Sequence, residues 1–323
     1  MMMTIGGCSS SDKKVIKHDY LFKGENENWQ AEYHIDATEV FYKEDGMLKY
    51  DNDAEKKLTI SYKKDTADLA SVKKVEISYK TRTGGGSLSE ECSGDEFIKK
   101  GTFVLKSGGK GGALENKEDI IKVEINLDGK VETIELVTDY FQGLREKYFD
   151  FAIEHRLDYL PVFEKNQAPT DSAEYLFYAF MINFDNWGEN KGIMTKEYVE
   201  EIIQTYFKVE NITHSPLHKG WDYDGEKYIA IPGGVNEEPI YVLREYYTSD
   251  QKDRTIYHLT MDYCIFVDKD GVGIIPSEED LEKIRENILA GDLSKLQVLR
   301  SEEFSYYLDN NQVVFLSHTL KEY

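Results

Sequence analysis

Four side chains able to carry protons or ligate a metal fall within eleven positions in the stretch THSPLHKGWDYDG: His214, His218, Asp222 and Asp224. Imidazole beside carboxylate is the raw material of acid–base pairs and of transition-metal sites. The spacing, however, is H-x-x-x-H without an intervening glutamate, and it lies in a proline-containing loop rather than on a helix. The plainer expectation is a surface loop closed by an Asp224-Gly225 turn. With Trp221 added, the same five residues form an expected ligand surface within 211–234, where a loop joins a helix to a strand.

A second stretch, DKDGVGIIPSEE, resembles the calcium-binding EF-hand loop. Asp268 and Asp270 take its first and third positions, Gly273 its sixth and Glu279 its twelfth. Calcium needs six to eight hard oxygens, and the glycine would permit the sharp turn that gathers them. Val272 stands where a third oxygen ligand belongs, and the incoming residues Tyr257, Leu259, Met261, Tyr263, Ile265 and Val267 alternate with period two. That is a strand, not a helix. The expectation is therefore strand, turn and helix start, with Ser277 and Asp280 capping the helix; calcium at Asp268, Asp270 and Glu279 is the alternative.

Other chemistry is weakly signalled. The glycine clusters TGGGS (83–87) and SGGKGG (107–112) lack the spacing of a phosphate-binding loop and open no helix, so they are expected as loops between strands. There is no G-x-S-x-G, and the three cysteines, Cys8, Cys92 and Cys264, are widely spaced without a C-x-x-C. Neither a zinc site nor a disulfide framework is suggested.

The 323 residues exceed what one core usually serves, so two domains are expected. Lys plus Arg number 39 against 61 Asp plus Glu, a net charge of -22 that repels phosphate backbones and makes nucleic acid a poor partner. No run approaches the ~18 apolar residues of a membrane-spanning helix.

At the N-terminus, Ile5-Gly6-Gly7-Cys8 followed by Ser9, Ser10, Ser11, Asp12, Lys13 and Lys14 resembles the lipobox and polar tether of bacterial lipoproteins. The resemblance implies a lipid on Cys8, an extracytoplasmic location on the outer face of the cell membrane, and the membrane itself as a partner. Only seven residues precede Cys8, and none is basic; Met1 to Ile5 are read as the tail of a longer apolar core. FKGENENWQAEY and the Gly-rich segments after it resemble the β-rich N-terminal module of uncharacterised Firmicute lipoproteins, a likeness that brings no activity with it.

The elements follow from periodicity. Trp29, Ala31, Tyr33 and Ile35 alternate with polar residues, as do Leu58, Ile60 and Tyr62, then Val75, Ile77 and Tyr79, then Ile121, Val123, Ile125 and Leu127. Asp128-Gly129 is a hairpin turn. About seven such strands predict an immunoglobulin-like β-sandwich over 19–138, after a tether over 1–18. Over 139–323 the pattern becomes helical in DYFQGLREKYFDFAIEHRL, SAEYLFYAFMINF and the helix capped by Thr195. Strands follow, interrupted by the helix after Pro276, which predicts an α+β domain of helices packed on an antiparallel sheet. The expected protein is a lipid-anchored binding or interaction module for an unknown protein or small molecule. It needs no cofactor to fold; an envelope hydrolase using His214, His218 and Asp222, or a calcium-responsive lipoprotein, is the alternative.

Overall fold

A computed structural model describes residues 13–91, 101–164, 172–183, 192–217, 221–230, 238–268 and 271–321. Cys8, His218 and Asp270 lie outside the described residues, and Trp221 is described by its backbone alone. The chain divides into two compact units, Met1–Gln142 with Leu289–Ser294, and Gly143–Ile288 with Lys295–Tyr323.

The first unit is built from β1 (Lys14–Glu25), β2 (Trp29–Glu44), β3 (Met47–Tyr62), β4 (Lys74–Lys80), β5 (Gly85–Glu91), β6 (Thr102–Lys110), β7 (Ile121–Leu127) and β8 (Lys130–Thr138). All neighbours are antiparallel, in the order β5-β4-β7-β8-β1-β2-β3-β6. The sandwich expectation therefore holds only at a coarser level: eight strands run as one hydrogen-bonded series that curls until it is nearly closed as a barrel. β1 starts at Lys14, inside the segment expected as tether.

Period-two patterning drives the curl. Trp29, Ala31, Tyr33, Ile35 and Ala37 are buried on β2 while the residues between them are exposed, and Val75, Ile77, Val123 and Ile125 are buried on β4 and β7 between exposed or half-buried neighbours. These faces form one core, in which Tyr33 packs against Phe22 and Tyr79. Fully burying each large apolar side chain contributes about 1.5–3 kcal/mol relative to leaving it in water. The β7–β8 turn is Asp128-Gly129, both at positive φ (50° and 95°), as a two-residue hairpin demands.

The second unit holds two sheets and four helices among the described residues. α1 (Asp139–Glu154) begins in the first unit, where Thr138 Oγ1 accepts from the Phe141 amide, and carries the chain across the border. α2 (Ser172–Met181), β9 (Ile193–Thr195), α3 (Lys196–Phe207), β10 (Trp221–Tyr223) and β11 (Lys227–Ala230) make one layer, with strand order β10-β11-β9. Its core joins Leu176, Phe180, Val199 and Ile203 to Tyr228. Thr195 caps α3 by accepting from the Tyr198 amide at 3.3 Å. The larger sheet runs β12 (Ile240–Gln251), β13 (Arg254–Val267), β15 (Leu296–Asp309) and β16 (Gln312–Lys321), with the two-residue β14 (Gly273–Ile274) beside β13; α4 (Glu278–Ala290) intervenes before β15.

Candidate functional site

The ends of the first unit's series, β5 and β6, approach each other, and no ladder joins them among the described residues. Along this seam opens a cavity of about 280 Å³, lined by Tyr33, Asn52, Lys56, Tyr79, Thr83, Ser107 and Glu115 together with glycines of both clusters. The glycines expected in loops are thus partly strand: Gly85 and Gly86 start β5, and Gly108 and Gly109 precede Lys110 at the end of β6. The reason is steric. A Cβ on Gly86 would meet the Tyr79 ring at 2.6 Å, and one on Gly108 would meet the Ala54 carbonyl at 2.5 Å. Side chains there would fill the seam.

At the centre stands a buried ion pair. Lys56 lies on the inward face of β3 between Ala54 and Leu58, and its Nζ sits 3.0 Å and 2.7 Å from the two carboxylate oxygens of Glu115, which is 1% exposed. Thr81 and Thr83 donate their hydroxyls to Oε1 at 3.0 Å and 2.7 Å. Burial pulls the Glu115 pKa up, but Lys56 and Thr83 outweigh it and hold the group below the ordinary glutamate value. Tyr33 is driven the other way, by burial first and by the Glu115 charge second, so its phenol stays protonated. Tyr79 Oη lies 3.3 Å from Ser107 Oγ across the seam, and Asn52 fastens the rim by donating to the Gly112 carbonyl and accepting from the Gly111 amide. The result is a hydrogen-bond-rich hollow whose buried charges are paired, with Lys110 on its exposed rim.

The residues singled out from the sequence are dispersed. His214 is bound on both ring nitrogens, Nδ1 to Tyr228 Oη at 2.8 Å and Nε2 to Glu200 Oε1 at 3.0 Å, and its ring stacks on Tyr223. Side chains alternate along a strand, so Asp222, next to Tyr223 on β10, faces away from His214. Asp224 accepts from the Glu226 and Lys227 amides and thereby forms the expected turn. The described members of the cluster do not converge.

In the calcium-like stretch, Asp268 Oδ1 accepts from the Val272 amide at 2.9 Å, closing a turn that β14 continues as a short hairpin with β13. Glu279 pairs with Lys283 at 2.6 Å on the exposed side of α4. Ser277 and Asp280 exchange hydrogen bonds, the capping box read from the sequence. Among the described residues, no three His, Cys, Asp or Glu side chains gather to hold a metal ion.

The second unit carries a different polar cluster, sealed inside the large sheet. Glu302, fully buried, accepts from Tyr241 Oη at 2.9 Å, from His318 Nε2 at 3.0 Å and from Arg300 Nε. His318 Nδ1 faces the carbonyls of Leu160 and Pro161, and Phe304 stacks on the ring. A further cavity of about 260 Å³ lies in this unit beside Asp158, Tyr263 and the buried thiol of Cys264, with mostly aliphatic and aromatic neighbours. Burial raises the Asp158 pKa against the pull of Arg156, which grips it through two nitrogens.

Neither cavity was named from the sequence. Tyr33, Lys56, Tyr79, Ser107 and Glu115 are scattered over four strands and a loop, and one local signal pointed to them: a lysine on the inward parity of β3. Comparison with protein-family models, with curated proteins and with solved structures finds no match to this chain.

Proposed function

We propose that this protein is an extracytoplasmic binding module, held at the cell membrane by a lipid on Cys8, whose first unit receives a small neutral polyhydroxylated ligand in the seam cavity. The observation that carries this reading is the lining. Phenol, hydroxyl, amide and carboxylate groups converge on about 280 Å³, at the small end of ligand pockets, where a few placed polar groups fix orientation. The buried charges are already matched, Lys56 against Glu115, and Lys110 on the exposed rim faces Asp53 at 3.8 Å, so a charged ligand would have to break the buried pair whereas a sugar-like ligand need not. A neutral ligand is also indifferent to the net charge of -22.

Binding fits this lining better than catalysis. A general base works best with a pKa near the working pH, whereas Glu115 is held low and already accepts from Lys56, Thr81 and Thr83. Its role is to hold the wall in place. Titration calorimetry of the full chain with neutral hexoses, N-acetylhexosamines and inositol tests the reading: heat is expected with at least one of them and lost in Tyr79→Phe combined with Ser107→Ala. Absence of heat across the panel at millimolar ligand overturns it. The anchor is tested separately, by metabolic labelling with a fatty acid, which should mark the chain carrying a complete export signal and not its Cys8→Ser variant.

A further inference from the structure

The β2–β3 hairpin outruns both of its neighbours. β1 pairs with β2 as far as Lys14 opposite Phe41, and β6 pairs with β3 only from Asp53. The strands continue to Glu44 opposite Met47, closed by Asp45-Gly46 at positive φ, so the tip projects about 10 Å past Phe41 at the rise of a strand. Among the described residues nothing in the unit covers this tip, yet it carries apolar side chains on both faces. Leu48 is 71% exposed, Met47 58%, and Tyr50 46%, with its ring against Phe41; Val15 stands exposed at the foot of the hairpin. A solvated hairpin has no use for two apolar faces.

Charge marks the same end. Lys13 just before β1, Lys14 and Lys17 on it, and Lys43 and Lys49 on the hairpin give five lysines against four carboxylates, Glu39, Glu44, Asp45 and Asp51, besides the Lys110–Asp53 pair level with Lys17, in a chain that elsewhere is strongly acidic. Glu39 is occupied by His18 and Tyr50. Among the described residues none of the five lysines pairs with a carboxylate, so all are available to anionic headgroups. Position completes the argument. Cys8 precedes Lys13 by five residues, which span at most about 18 Å when fully extended. A lipid on Cys8 therefore places the hairpin end at the bilayer surface.

We propose that the β2–β3 hairpin docks on a bilayer bearing anionic headgroups, Met47 and Leu48 entering the interfacial region, Tyr42 and Tyr50 resting at headgroup level and the lysines contacting phosphates. Aromatic rings with a polar end favour that boundary, and juxtamembrane lysines each strengthen attachment to an anionic leaflet. The Glu44-Asp45 turn limits depth, since carboxylates stay in water; the hairpin lies along the surface rather than crossing it. The inference rests on the proposed anchor for its geometry, so the test supplies the tether chemically.

The full chain, in a Cys92→Ser background, is coupled through Cys8 to a maleimide lipid in vesicles of phosphatidylglycerol and phosphatidylcholine. Two probes are compared: Leu48→Trp at the tip and Val131→Trp, exposed near Glu132, which binds Asn26 and Asn28 at the opposite end of the sheet. With brominated acyl chains the added emission of the tip probe should be quenched and shifted to the blue, and that of the far probe preserved. Equal quenching of both, or none at the tip, overturns the docking. Without the tether, Met47→Asp with Leu48→Asp should lower the vesicle-bound fraction by about tenfold or more at an unchanged melting temperature; unchanged vesicle binding also counts against it. Failure of fatty-acid labelling with tip quenching intact removes the natural anchor and leaves the docking surface standing.

Discussion

Two buried glutamates, one in each unit, meet the same problem with opposite architecture. Glu115 and Glu302 are both almost wholly removed from water, and each is held below the ordinary glutamate value because positive partners outweigh the cost of burial. The partners of Glu115 are a lysine that is 16% exposed and two threonines beside a cavity. Those of Glu302 are packed into the sheet: Tyr241 and His318 are buried, and of the three only Arg300 reaches solvent. One acid is placed where a ligand can share its network. The other is closed off, and its network is a structural joint between β12, β15 and β16.

The largest effect should come from breaking the sealed joint. Glu302→Ala leaves His318, Tyr241 and Arg300 facing an empty site, and losing one partner of a buried ionic cluster costs about 3–5 kcal/mol. Urea unfolding of the full chain measures it; a cost below 1 kcal/mol, on the order of an exposed pair, would erase the distinction between the two acids.

Next comes a pH effect confined to the second unit. His155 packs against Phe151 and Phe315, and burial lowers its pKa from 6.5 to about 4. As pH falls below 6.5 the unfolded chain takes up this proton while the folded one does not, so stability declines between pH 6.5 and 4, by about 3 kcal/mol in all. His155→Phe should flatten that part of the profile in urea midpoints followed against pH. The two glutamates have the opposite sign of group but the same direction: their contribution is full above the unfolded glutamate value of 4.5 and is lost as pH falls through their lower folded values, so it begins at the acid end of the histidine's window.

Glu115→Gln should cost only about 1 kcal/mol, because the amide still accepts from Thr83 and Lys56 can reach water. Its signature lies in ligand binding rather than melting; a loss as large as that of Glu302→Ala would show the seam to be sealed in solution. Smallest of all is Glu279→Gln, which removes an exposed i,i+4 pair with Lys283 and should leave the urea midpoint where it was.

Much of the fold was legible because local signals agreed with the burial that followed. Alternation located β2, β4, β7 and β13, and Asp128-Gly129, Thr195 and Ser277 performed the turn and caps their chemistry suggests. The curl of eight strands into one series was not legible, since period two says which residues face inward and not which strand lies beside which. That also hid the site. Lys56 and Glu115 are 59 residues apart and meet only because the segment after β6 returns over β3. The parity of Lys56, and of Glu302 beside Phe304, was the available warning that a charge points into a core. The histidine loop misled for the converse reason: proximity in sequence places Tyr223 and Asp222 on opposite faces.

The short return of Leu289–Ser294 into the first unit, where the Glu135 amide donates to the Gly291 carbonyl, changes how the chain bears load. The backbone crosses the border three times, after Gln142, after Ile288 and before Lys295. A protease nicking the chain at Gln142 therefore yields two pieces, 1–142 and 143–323, and the second still carries Leu289–Ser294, whose place in the first unit is held by non-covalent contacts alone. A pull applied between the two termini enters the first unit from the C-terminal side at Ser294 before it ever travels back through α1. The protein is laced rather than strung, and single-molecule extension should show the Leu289–Ser294 loop peeling away before either sheet yields.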